Sequence, residues 1–181
     1  MNQKFKTVES SKVELSELML PSHSNFSGKI HGGFILSLLD QIAFACASKH
    51  SATYCVTASV DTVDFLSPIE IGELVTMKAS INYVGRTSMV VGIRVEAEHI
   101  QTGVVKHCNS SYFTMVAKDD QGKSVRVPGL ILETEKELKR FFNSVKRNSL
   151  RKEREAYSNQ LEYSVNELIH ELEGHNVKID L

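Results

Sequence analysis

Asn25-Phe26-Ser27-Gly28-Lys29-Ile30-His31-Gly32-Gly33 runs directly into Phe34-Ile35-Leu36-Ser37-Leu38-Leu39-Asp40-Gln41-Ile42-Ala43-Phe44-Ala45-Cys46-Ala47-Ser48-Lys49. The first part sets glycines among polar residues and reads as a loop. The second reads as a helix that is apolar nearly all round, which predicts burial rather than a wet surface. Asp40 stands in its middle. A carboxylate on a buried helix is costly unless paired or hydrogen-bonded, so this acid is the first pointer to function. Gly33 and Asp40 lie about two helical turns apart and share a face, and the Asp40 side chain leans back toward the helix start. That start carries free N–H groups and a partial positive charge. Gly32 and Gly33 let another molecule come close to it. N–H donors aimed at a developing oxyanion, beside a partly desolvated carboxylate, suit acyl transfer to water. The acid would deprotonate a water or attack the acyl carbon itself. A buried aspartate bonded to a neighbouring hydroxyl or amide fits the same pattern.

Outward from this stretch the period changes to two. Before it, Lys12–Leu20 alternates and stops at Pro21; the first ten residues read as a flexible end. After it come Thr53–Phe65, Gly72–Val84, Met89–His99 and Val104–Lys118, separated by Ser67-Pro68, Gly85-Arg86-Thr87-Ser88 and Gln101-Thr102-Gly103. Strands joined so tightly are expected to pair antiparallel with their sequence neighbours. One buried helix followed by long antiparallel strands predicts an α+β fold, a curved sheet wrapped around the helix, with dimerisation through an edge strand. Past Pro128-Gly129 the pattern turns helical. Thr134-Glu135-Lys136-Glu137 reads as a capping box. Leu138, Phe141, Phe142 and Val145 form one stripe, and Tyr157, Leu161, Val165, Leu168 and Leu172 a second, with a break expected at Asn148-Ser149 and a C-terminal cap at Gly174. The domain division read from this is a loose N-terminus (1–10), a sheet-and-helix domain (11–128) and a helical extension (129–181).

The 181 residues, 41% hydrophobic and 24% charged, are those of an ordinary globular chain. A net charge of −1 offers no electrostatic case for nucleic acid, and no apolar run is long enough to span a bilayer. Cys46, Cys55 and Cys108 are far apart and form no CxxC, which points to a reducing, cytoplasmic compartment and to neither a disulfide framework nor a metal site. Asn25 offers an amide that would donate to a carbonyl oxygen or orient a water, and it is equally a turn former. His31 fits a loop or binding role better than a catalytic one. Gly85, Arg86, Thr87 and Ser88 suit contact with phosphate or pantetheine, or make a polar hairpin tip. The basic run from Lys146 to Arg154 reads as a solvated helix face.

These blocks together resemble the hotdog-fold acyl-CoA thioester hydrolases, of the bacterial YciA type and the cytosolic, or brain, acyl-CoA hydrolase. The residues that carry the resemblance are Asn25-x-x-Gly28-x-x-His31-Gly32-Gly33, the helix with Asp40, Val56 to Pro68, Gly72-Glu73-Leu74-Val75 and Val84 to Ser88, in family order over about 12–128. His-Gly-Gly here is similar to the animal branch; many bacterial members have an aromatic residue at the His31 position. The resemblance implies hydrolysis of acyl-CoA to a free acid and CoA, with no cofactor beyond the CoA of the substrate. It implies Asp40 as the catalytic carboxylate, Asn25 as the loop amide and a Gly32 or Gly33 N–H as the oxyanion donor. His31, Gly32 and the Gly85–Ser88 turn would meet the CoA moiety. It also implies double-hotdog dimers, three of which assemble into a hexamer, with Asn25 and Asp40 of one site supplied by different subunits. A binding or sensing module acting through the C-terminal helices is the alternative reading. A hotdog dehydratase, which would pair a histidine with the helix acid, is a third.

Overall fold

The computed structural model of the chain describes residues 4–160 and 164–181. They form two compact units, Met1–Ser144 and Val145–Leu181.

In the first unit, α1 (Gly32–Ser51) lies on one face of a five-stranded antiparallel sheet. The strands are β2 (Val13–Leu18), β3 (Tyr54–Val60), β4 (Leu74–Val84), β5 (Ser88–His99) and β6 (Val104–Lys118), following a short β1 (Phe5–Thr7). Their order is β2-β4-β5-β6-β3. The period-two pattern explains the sheet's inner face: Val75, Met77 and Ile81 of β4, Val91 and Val95 of β5, and Phe113 and Met115 of β6 are all essentially inaccessible. Ile35, Leu39, Ile42 and Cys46 of α1 pack on them. Each such aliphatic side chain contributes about 1.5–3 kcal/mol by leaving water.

Three expectations change. First, the strand after the helix does not pair with the next one. β3 pairs with β6 at one edge, and β2 pairs with β4 at the other. Residues 61–73 therefore cross the sheet, because a strand that ends at one edge must be carried over to its partner's far side. Second, α1 is not buried all round. Leu36, Asp40, Gln41, Phe44 and Ala45 form an exposed stripe beside the uncovered β3 edge. Asp40 is thus on the surface of the single chain, and the cost expected for a buried carboxylate does not arise there. The exposed stripe is itself partly apolar, so a helix read as apolar all round is half-covered. Third, the N-terminal end is not loose from its fourth residue on. β1 pairs in parallel with β7 (Gly129–Ile131), and Val8 behind it is buried.

After β7, α2 runs from Glu135 to Gln160 without a break at Asn148-Ser149. The capping box forms: the Glu137 N–H donates to Thr134 Oγ1 at 3.2 Å, and the Thr134 N–H to Glu137 Oε2 at 3.1 Å. Within the first unit the start of α2 packs through Phe141, whose ring lies 5.1 Å from that of Tyr83. The second unit holds the rest of α2 and α3 (Val165–Glu171), where Val165, Leu168, Ile169 and Leu172 gather with Ile179 and Leu181. Leu161 of the expected stripe lies outside the described residues.

Candidate active site

The start of α1 has an unusual accounting of its backbone donors. His31 is the N-cap residue, with φ −66° and ψ 126°. Its carbonyl accepts from the N–H of Phe34 at 3.0 Å and of Ile35 at 3.3 Å. Its ring accepts from Gly33: N–H to Nδ1 at 2.9 Å. Of the donors that a helix start leaves unpaired, this leaves Gly32 N–H, for which no acceptor is present among the described residues. The expected oxyanion donor therefore narrows from two glycines to one, and Gly33 is occupied. The Phe65 ring stands over Gly32, 3.4 Å from where a Cβ would be, an ordinary van der Waals distance. Phe65 is held by a strap along β6: the Leu66 N–H donates to the Cys108 carbonyl at 2.9 Å, and the buried Asn109 amide to the Asp64 carbonyl at 2.8 Å.

Asp40, two turns along the helix, accepts a 2.5 Å hydrogen bond on Oδ1 from the Thr57 hydroxyl. Thr57 precedes a break in register in β3, between Thr57 and Ser59, which bends the strand and re-aims the side chain. Thr57 lies within the block quoted above but was not among the candidates. The signal available was modest: the face of β3 opposite Tyr54, Val56 and Val60 carries Cys55 and Thr57, a hydroxyl turned toward the helix.

Asn25 heads a tight loop closed by Gly28, at φ +77°, where a side chain would be strained. Its Oδ1 accepts from the Ser27 N–H at 2.9 Å, the Ser27 hydroxyl at 2.7 Å and the Lys29 N–H at 3.2 Å. The oxygen is committed to the loop, which leaves the amide NH2 as the working end; it has no partner among the described residues. Phe26 beside it is fully exposed.

The Gly85–Ser88 turn is not brought to this corner. The Gly85 N–H closes it on the Ser88 carbonyl at 2.8 Å, and the Arg86 carbonyl accepts from the Val127 N–H at 3.1 Å. That segment continues to Pro128, whose carbonyl meets His50 at the far end of α1. The glycine corner and the turn are thus a helix length apart, about 30 Å. The Gly72-Glu73 block has a structural duty instead. Gly72 takes φ +85°, and buried Glu73 pairs with Lys106 at 2.8 Å and accepts from the Glu70 N–H at 2.8 Å. That fixes the loop whose Ile69 carbonyl holds the Ile30 N–H beside the site.

The three cysteines are free and buried, and burial pushes the Cys46 thiol up to about 12, out of reach of nucleophilic duty. No group of three or more His, Cys, Asp or Glu able to hold a metal ion occurs among the described residues, and none of the helices described is long and apolar enough to cross a membrane.

Comparison with known proteins places this geometry. Residues 27–104 match the family model described as the thioesterase superfamily. Protein VdlD of Helicobacter pylori is 44% identical over 145 residues, 80% of this chain and 83% of that protein. The acyl-CoA thioester hydrolase YkhA of Bacillus subtilis, itself uncharacterised, is 37% identical over 151 residues, 83% of this chain and 88% of that one. Among solved structures, an apo-hexameric acyl-CoA thioesterase superposes with a TM-score of 0.82 at 37% identity, covering 84% of this chain and 98% of its own. The acyl-CoA hydrolase of Staphylococcus aureus, solved with butyryl-CoA, CoA and CoA disulfide, gives 0.79 at 33% identity over 86% of this chain and 95% of its own. Alanine variants of that enzyme were solved at an asparagine, an aspartate and a threonine, whose spacing is that of Asn25, Asp40 and Thr57 here.

Proposed function

The chain belongs to the acyl-CoA thioester hydrolases of the thioesterase superfamily, and on that footing we propose how its own residues divide the reaction. It hydrolyses acyl-CoA to a carboxylic acid and CoA. The observation that carries the division is the single free Gly32 N–H on the same uncovered face as a Thr57-held Asp40. Asp40 acts as general base. Thr57 occupies Oδ1, which leaves Oδ2 to take a proton from water as it attacks the thioester carbon. The carbonyl oxygen becomes an oxyanion that accepts from Gly32 N–H and the Asn25 amide. Collapse breaks the C–S bond, and the proton passes from Asp40 to the departing CoA sulfur.

One chain does not complete this site. The apolar stripe of Leu36 and Phe44, the open β3 edge and exposed Tyr54, Val60 and Phe65 are continuous with it and suit a second copy. A two-fold pairing that runs the two α1 stripes antiparallel sets each glycine corner against the middle of the partner's helix, so that Asn25 and Asp40 of one site come from different protomers. The partner's Gly85–Ser88 turn, farther along that helix, is then in place to meet CoA. Three such dimers make the proposed hexamer. We place the protein in the cytoplasm, which its three unpaired thiols support.

Release of CoA from a series of acyl-CoAs, followed with a chromogenic thiol reagent, tests the activity. Mixing the impaired Asn25→Ala and Asp40→Ala chains tests the shared site: a hybrid dimer regains one intact site if the two residues act across the seam. Hybrids no more active than the average of their parents would put both residues in one chain. Single turnover in heavy-oxygen water tests the base assignment, since label carried into Asp40 would make it the nucleophile.

A further inference from the structure

We infer that the His31 ring is a positioning residue of this site: neutral, with its proton on Nε2, it holds the Gly33 N–H and fixes the helix start that aims Gly32 N–H at the thioester. The inference rests on the reading of Gly32 N–H as the oxyanion donor.

Two observations support it. The first is the 2.9 Å bond from Gly33 N–H to Nδ1. A ring nitrogen that accepts a backbone N–H carries no proton, so the neutral ring's proton sits on Nε2. The second is the fit. A Cβ at position 33 would lie 3.0 Å from Nδ1 and 3.1 Å from Cε1, so the ring folds over the place where any other residue would put a side chain. The backbone anchors the capping residue from behind. His31 N–H donates to the His23 carbonyl at 2.8 Å, and the His23 ring stacks on Phe34 at 3.9 Å.

Serine, threonine, asparagine or aspartate is the usual N-cap, since each offers a non-titrating or anionic acceptor. Histidine differs in one respect. When the ring gains a second proton it has no acceptor at Nδ1, and it sets a cation against the positive end of the helix. The bond to Gly33 then breaks, and the aim of Gly32 N–H loosens with it. The other titratable groups around this corner are His23, the Lys29–Glu70 ion pair and Asp40.

The experiment is steady-state kinetics on His31→Ala, His31→Asn, Gly33→Ala and the His31→Ala/Gly33→Ala pair. Loss of the cap lowers kcat about tenfold with KM within about twofold. Gly33→Ala, which crowds the ring away, does the same, and the double variant falls no further. His31→Asn restores kcat. Wild-type kcat in His31→Ala, additive single effects, or no recovery in His31→Asn would overturn the inference. Nitrogen NMR of the imidazole reads the same bond without turnover. It shows an unprotonated Nδ1 and a Gly33 amide signal that moves in His31→Ala; a proton on Nδ1 refutes it. An enzyme that hydrolyses acyl-CoA but ignores His31→Ala sinks this inference alone, whereas a chain without hydrolysis sinks the reading beneath it.

Discussion

The two ends of α1 are built to opposite specifications. At the C-terminal end the chain closes on itself. His50 is buried, its Nε2 meets the Pro128 carbonyl at 3.2 Å, Lys6 Nζ donates to the His50 carbonyl at 2.6 Å, and the left-handed Ala52 caps the last turn. At the N-terminal end the chain leaves things unfinished: Gly32 N–H, the Asn25 amide and an exposed Phe26 face outward. Most groups that fold the chain have found their partners within it, with the buried His50 Nδ1 and Ser48 Oγ as exceptions at this C-terminal end. Groups left waiting are those that meet a substrate or a second copy. The first kind should govern stability, the second turnover.

Replacing Asp40 with Asn is the strongest test of that division. The isostere keeps the Thr57 bond and loses the base, so hydrolysis should fall at least about a thousandfold while the thermal midpoint and CoA affinity hold. Full turnover would break the comparison at its centre. Asn25→Ala should lower kcat by about ten- to a hundredfold at nearly constant KM, if the amide acts in the transition state. A raised KM alone would make it a binding residue. Thr57→Val should cost about tenfold in kcat and Thr57→Ser recover most of it, because only the hydroxyl orients Asp40.

At the other end the expected readout is stability. Burial holds the His50 ring below its ordinary titration range. The unfolded chain therefore takes up a proton there first as pH falls. Stability is full above about pH 6.5 and declines from there toward the lowered folded value. His50→Leu should flatten that slope in a urea-melt series while leaving turnover per folded molecule unchanged. The smallest effect is Lys6→Ala, about 0.5 kcal/mol from one cation lost at a helix C-terminus. A loss of turnover from either variant would mean that the closed end also serves the site.

Much of the fold was legible because periodicity is a local signal. Val104–Lys118 is one strand in both readings, and Thr134 with Glu137 marks the start of α2. What failed was long-range or too short. Nothing local in Thr53–Phe65 says that its partner is β6, and three residues are too few for β1 to show a period. The stripe on α1 escaped because Leu36 and Phe44 are apolar whether they face a core or water. The site was half legible. Asp40 stood out as a charge on an apolar helix, but its surroundings were read as buried, which is the state of Glu73 instead. Glu73 is enclosed with Lys106, and Asp40 is open with a single hydroxyl. Thr57 needed the register break to acquire its aim.

The parallel pairing of β1 with β7 also bears on how the molecule is made. β1 finds its partner only in Gly129–Ile131, after every strand of the main sheet has been synthesised. Contacts so distant in sequence form late, because the loop between them must close first. The clasp over the end of α1 is thus a closing step of folding. A chain that stalls before it exposes Val8, which the finished fold buries. Such a stalled chain would be the form most open to a chaperone or a protease.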